Sequence, residues 1–123
     1  MKYATVAAFA LLAVTGQPAA AASPDDFVGK WKWTDIVIEI AKCSDNPSGA
    51  PICGKVISGP KNVGMEMFRS KFEQKGDEFF GKTAHPMTGD IYNSRSKLSG
   101  DTLVTDGCTD NNVCAKAEFA RVK

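Results

Sequence analysis

The chain has 123 residues, with 15 Lys or Arg against 14 Asp or Glu and a formal net charge of +1. A balance this even provides no electrostatic footprint for nucleic acid or an anionic membrane surface. The length suits one domain behind a short leader, with a core of modest size.

The first residues read as an export signal. Lys2 supplies a charged start, residues 3–14 run without charge, Gly16-Gln17-Pro18 interrupts the helix, and residues 19–22 are small alanines suited to signal peptidase. The uncharged run falls short of the roughly 20 apolar residues that a membrane span requires, which argues against a retained membrane helix. The expected division is a cleavable signal peptide over residues 1–22 and one mature domain over residues 23–123. Cleavage removes Lys2 and no acid, so the mature domain carries 14 basic and 14 acidic residues. No cysteine stands at the cleavage point for lipid attachment, and no membrane anchor is expected.

Beyond the leader, turn signals recur at short intervals between brief alternating stretches, the pattern of an antiparallel all-β domain. Ser23-Pro24-Asp25-Asp26 can cap one short helical turn before a first strand over residues 28–34. Residues 35–42 form the cleanest strand, with Ile36, Ile38 and Ile40 on one face. A loop rich in Pro, Ser and Gly then reverses the chain into residues 52–58. Residues 59–76 fit neither the helical nor the strand period, so a short helix or a lid-like loop is expected there. Strands resume over residues 78–84, 90–98, 102–106 and 113–122, joined by turns such as Pro86-Met87-Thr88-Gly89 and Ser99-Gly100-Asp101. Seven or eight meandering strands in a chain this short predict a small, closed or nearly closed β-barrel, because closure hides the edge strands.

Four cysteines lie in the mature part: Cys43, Cys53, Cys108 and Cys114. An even count in an exported chain points to disulfides. Three pairings are open to four cysteines; local geometry favours Cys43–Cys53 and Cys108–Cys114, each flanking a polar loop between apolar stretches. Their intervals of nine and five residues do not match the spacing of about two to four within a zinc-binding pair.

Taken together, the residues resemble a known family. Gly29-Lys30-Trp31 is similar to the Gly-x-Trp of lipocalin-type barrels, in which the tryptophan plugs the closed end and an arginine of the last strand, here Arg121, packs across it. It is followed by a strand ending at Cys43, then Ile52-Cys53-Gly54-Lys55-Val56-Ile57, Pro60-Lys61-Asn62, Phe68-Arg69-Ser70, Gly81-Lys82, Gly89-Asp90-Ile91-Tyr92, Gly100-Asp101-Thr102-Leu103 and Gly107-Cys108 with Cys114. In that order these segments resemble the bacterial family called domain of unknown function 2147 across residues 27–122. The resemblance implies a lipocalin-like barrel, export in a Gram-negative bacterium to the periplasm or beyond, and no established activity. Two positions depart from the family pattern. His85 stands where an aspartate usually precedes the turn proline, and Phe119 stands where a second tryptophan is usual.

Catalysis requires convergent acid, base or nucleophile groups. The single histidine, His85, precedes a proline in a turn and reads as an exposed turn residue. No nucleophile elbow, zinc-protease helix or phosphate loop is present, and no cofactor or metal is implied. The acidic stretch Asp106–Asn112 lacks the spacing of a calcium loop. Met65, Met67, Phe68 and Phe72 stand out instead, because methionine and phenylalanine in an irregular segment can form an adaptable apolar mouth. The leading expectation is therefore a non-enzymatic exported barrel that binds a small hydrophobic or amphipathic ligand. The alternative is an envelope or secreted interaction protein that meets another envelope protein through its surface loops.

Overall fold

The computed structural model describes residues 22–44, 46 and 49–123. The expected leader lies outside them except for its last residue, Ala22. Eight antiparallel strands form one sheet: β1 (Gly29–Trp33), β2 (Ile36–Lys42), β3 (Ile52–Ser58), β4 (Glu73–Lys75), β5 (Glu78–Ala84), β6 (Ile91–Ser99), β7 (Thr102–Cys108) and β8 (Cys114–Arg121). Their spatial order is β3-β2-β1-β8-β7-β6-β5-β4. This is an up-and-down meander whose first and last strands pair, Trp31 opposite Arg121, so that the sheet curls into a barrel. A register shift between Val37 and Ile38 adds to the curl of β2 on β3.

The curl leaves β3 and β5 facing each other without direct pairing. Residues 64–69 cross this seam as a strap, where irregular structure or a helix is expected from the sequence. Toward β3, the Met67 N–H donates to the Gly54 carbonyl at 2.7 Å and the Val56 N–H to the Met65 carbonyl at 3.0 Å. Toward β5, the Arg69 N–H donates to Lys82 at 2.9 Å and the Ala84 N–H to Met67 at 2.7 Å. Only the bridges Lys55–Glu66 and Phe68–Thr83 register as strand pairing. Side chains make up the deficit. The Glu66 carboxylate accepts from the N–H groups of Gly54 and Phe68 at 2.7 and 3.0 Å, and the Ser70 hydroxyl accepts from the Lys82 N–H at 2.8 Å. The flanking glycines make room for the strap's rings: a Cβ on Gly54 would meet Phe68 at 2.8 Å, and one on Gly81 would collide with Phe72.

Alternation along the strands sends Ile36, Ile38 and Ile40 inward with Trp31, Ile52, Val56, Phe79, Leu103 and Phe119, forming one core. One end is closed by a 3-10 turn, Pro24–Phe27, entered through Ser23, whose N–H donates to the Asp26 carboxylate at 2.8 Å. Phe27 from this turn stands edge-on to Phe79, with ring centroids 4.9 Å apart. Trp31 is fully buried beneath the turn and donates from Nε1 to the Phe27 carbonyl at 2.9 Å. Arg121 lies over the Trp31 ring at 4.2 Å and donates to the carbonyls of Val28 and Asp26 at 3.1 and 3.0 Å. Gly29, at φ 141°, is held where a Cβ would press on the same guanidinium.

Disulfides join Cys43 to Cys53 and Cys108 to Cys114. The first clamps the long β2–β3 connection and the second the β7–β8 hairpin. Each loop closure is worth about 2–3 kcal/mol in the chain-entropy account. The bonds imply an oxidising, non-cytoplasmic environment. Among the described residues, no helix is long and apolar enough to cross a membrane.

Replacing Glu66 by Ala strands the Gly54 and Phe68 amides at the seam. We expect a loss of about 1–3 kcal/mol in unfolding free energy, with faster hydrogen exchange at those two amides ahead of β6–β7. Unchanged exchange at Gly54 and Phe68 in the variant would show that the carboxylate does not hold the seam.

Candidate functional site

The end of the barrel opposite the 3-10 turn is framed by the β1–β2, β5–β6 and β7–β8 connections and by the loop leading into the strap. The β5–β6 loop is firmly built: the His85 N–H donates to the Asp90 carbonyl and the Gly89 N–H to the His85 carbonyl, at 2.8 and 2.7 Å. Asn62, in a left-handed conformation at φ 60°, donates from its side chain to the carbonyls of Pro86 and Met87 at 3.0 and 3.1 Å. It thereby ties the strap's entry loop to the β5–β6 loop.

Beneath these loops lies a cavity of about 90 Å³ open to solvent, whose wall includes Trp33, Met67, His85, Tyr92, Ser94 and Ala117. It exists because Ser94 of β6 and Ala115 and Ala117 of β8 are small and line the space, while Gly107 between them sits where a Cβ would collide with the β6 backbone. Three rings crowd its rim. His85 is edge-on to Trp33 at 5.6 Å and tilted against Tyr92 at 5.7 Å, while Trp33 also approaches Phe119 at 5.8 Å. A second, smaller cavity of about 40 Å³ lies deeper, among Phe27, Phe68, Phe72, Phe79 and the β2 isoleucines. Met67, Thr83, Thr105 and Phe119 line both spaces and form the waist between them.

The residues singled out in the sequence occupy distinct places. Met67 is buried at the waist, and Phe68 and Phe72 line the deeper cavity with their rings edge-on at 4.9 Å. Met65 packs half-buried against the core beside the strap and lines neither space. Gly29, Trp31 and Arg121 meet at the closed end, away from the open cavity.

His85 corrects the sequence reading: it is a half-buried member of the aromatic rim, not an exposed turn residue. Proline after it fixes the turn, and the turn folds back over the barrel mouth. Its Nδ1 accepts from the Met87 N–H at 3.0 Å, which requires an unprotonated Nδ1. Burial among the rings lowers its pKa below the ordinary histidine value, and the nearby Asp90 carboxylate offsets part of that effect. Trp33, Tyr92, Ser94 and Thr105 are not among the site residues that the sequence singles out. The available signal was the alternation Tyr92, Ser94, Ser96, Leu98 along one face of β6, facing the small Ala115 and Ala117 of β8.

Asp106 turns outward to Arg95, with 3.2 Å between carboxylate and guanidinium. Among the described residues, no group of three or more His, Cys, Asp or Glu side chains is placed to hold a metal ion. Comparison of the chain with protein-family models, curated proteins and solved structures finds no match.

Because the folded-state pKa of His85 is lowered, the unfolded chain binds the proton more tightly, and stability rises with pH across the interval. His85's contribution is present above the unfolded value of about 6.5 and is lost as pH falls through the lower folded value. We expect acid unfolding midpoints to shift to lower pH in His85→Gln. Superimposable pH–stability curves for the two proteins would contradict a buried, neutral His85.

Proposed function

We propose that this barrel is a non-enzymatic binding protein of the Gram-negative periplasm or exterior, taking one small amphipathic molecule at its open end. The observation that carries this reading is the solvent-open cavity of about 90 Å³ under Trp33, His85 and Tyr92. Ser94, Ala115 and Ala117 stand together on one wall, and the space they leave is concave, mostly apolar and ringed by aromatic faces. Its size sets a limit. An enclosed cavity of ~150 Å³ holds benzene, so a ligand here is about one ring in size, with part of it projecting through the rim. The two disulfides and the leader-like residues 1–22 support an exported location.

Catalysis has less support. His85 spends Nδ1 on a backbone amide, and its ring stands against the Trp33 and Tyr92 rings. The alternative reading, an interaction with another envelope protein, draws on Val63 and Val113, which are 60% and 58% exposed on loops at the open end.

The test is occupancy. Ala117→Leu fills the outer cavity without disturbing the seam or the closed end. Toluene or phenol titrated into the wild-type protein should change Trp33 fluorescence, and the change should vanish in Trp33→Phe. Ala117→Leu should weaken the response at least tenfold while keeping or raising the melting temperature. If neither compound perturbs Trp33 and native mass spectrometry of protein isolated from periplasm finds no bound molecule, the binding reading is wrong. Cross-linking that captures one envelope partner through Val63 or Val113 would then favour the alternative.

A further inference from the structure

The inner wall of β5 to β7 is unusual for a barrel core. Thr83, Ser94, Ser96 and Thr105 put four hydroxyls against cavities otherwise lined by Met, Phe, Trp and Ala. Ser94 is buried and the other three are half-buried, and a hydroxyl withdrawn from water is costly unless hydrogen-bonded. Two of these are satisfied by each other, with Ser96 donating to Thr105 at 3.1 Å. The other two are not. The Thr83 hydroxyl has no side-chain hydrogen bond to any described residue. Ser94 is only 7% exposed, and its hydroxyl reaches just the Tyr92 carbonyl, at 3.4 Å. That is long against the ~2.5–3.0 Å of a sound O–H···O bond. Thr105, with its hydrogen held for a further acceptor, stands beside them at the waist.

Resting on the binding reading above, we propose that Thr83, Ser94 and Thr105 form a polar subsite for one uncharged oxygen or nitrogen of the ligand. The ligand class is a small neutral ring bearing a hydroxyl, carbonyl or amine, inserted polar end first, with its apolar face against Trp33 and Met67. Hydroxyls both donate and accept, so they accommodate any of these groups. They do not neutralise a full charge. The ionic residues of the outer cavity lie away from the waist: Asp106 pairs with Arg95 on the outside, and exposed Lys116 lines only the outer space and not the deeper one. A carboxylate driven to the waist would lose its hydration with no cation to replace it.

Phenol, toluene and benzoate differ at this one substituent and serve as probes. Affinities measured by Trp33 fluorescence give a phenol-to-toluene preference for each protein, which cancels effects common to both rings. Thr105→Val keeps the side-chain shape and the β-branched preference while deleting the hydroxyl, and Ser94→Ala deletes the second. Each should reduce the phenol preference about tenfold, leave toluene binding within twofold, and leave the exposed control Ser99→Ala unaffected. Benzoate should bind the wild type at least tenfold more weakly than phenol. An unchanged phenol preference in both variants, or benzoate binding equal to phenol, overturns the polar subsite while the cavity still binds toluene. Loss of every ring compound from the wild type overturns the binding reading itself, and this proposal with it.

Discussion

The architecture depends on how the curled sheet crosses its own gap. A meander of eight short strands buries its edges only if the third strand meets the fourth, and here the fourth is broken. The strap over 64–69 and β4 over Glu73–Lys75 occupy one flank of β5, interrupted by Ser70-Lys71-Phe72. The interruption removes backbone partners, and Glu66 and Ser70 supply replacements from their side chains. This exchange has a geometric return. It lets Phe68 and Phe72 swing over Gly54 and Gly81 and fill the deeper half of the barrel. The upper half has Tyr92 and Phe119 at its margins but only Ser94, Ala115 and Ala117 between them, and stays open.

Most of the strand framework was legible in the sequence because it rests on local rules. The period-two isoleucines of β2, the Gly and Pro turns and the paired cysteines each announce themselves within ten or so residues. The strap was not legible, since its partners Gly54 and Lys82 lie far off in sequence and on opposite sides of it. A segment bonded to two strands at alternate residues shows neither a helical nor a strand period. The cavity was hidden for a different reason. A single Ser or Ala on an inner face means little alone, and only the register that sets Ser94 against Gly107 and Gly107 against Ala115 adds them into a space. His85 illustrates the limit most directly. Its turn is plain from Pro86, but nothing local tells which way the turn folds, and the fold decides whether the ring meets water or Trp33.

The two ends of the barrel differ in how completely their groups are packed and paired. At the closed end every strong polar group has a fixed partner: the indole N–H, the guanidinium and the carbonyls of the 3-10 turn satisfy one another. At the open end, rings touch at their edges, and the Ser94 hydroxyl reaches only a carbonyl at 3.4 Å. Packing that is complete at one end and incomplete at the other leaves a small domain an open mouth without forfeiting its core.

The Arg121 clasp carries a kinetic corollary. Its bonds to Val28 and Asp26 span 93 and 95 positions along the chain, the longest-range hydrogen bonds in the molecule's described part. The strand that completes the cylinder is thus the last one made, and the strand it must find is the first. Until β8 is available, β1 has only one neighbour, and Trp31 lacks both the cation above it and half of its walls. Closure of so long a loop is entropically expensive and contributes nothing before it is finished. Closure of the barrel by β1 and β8 therefore waits for the C-terminal strand.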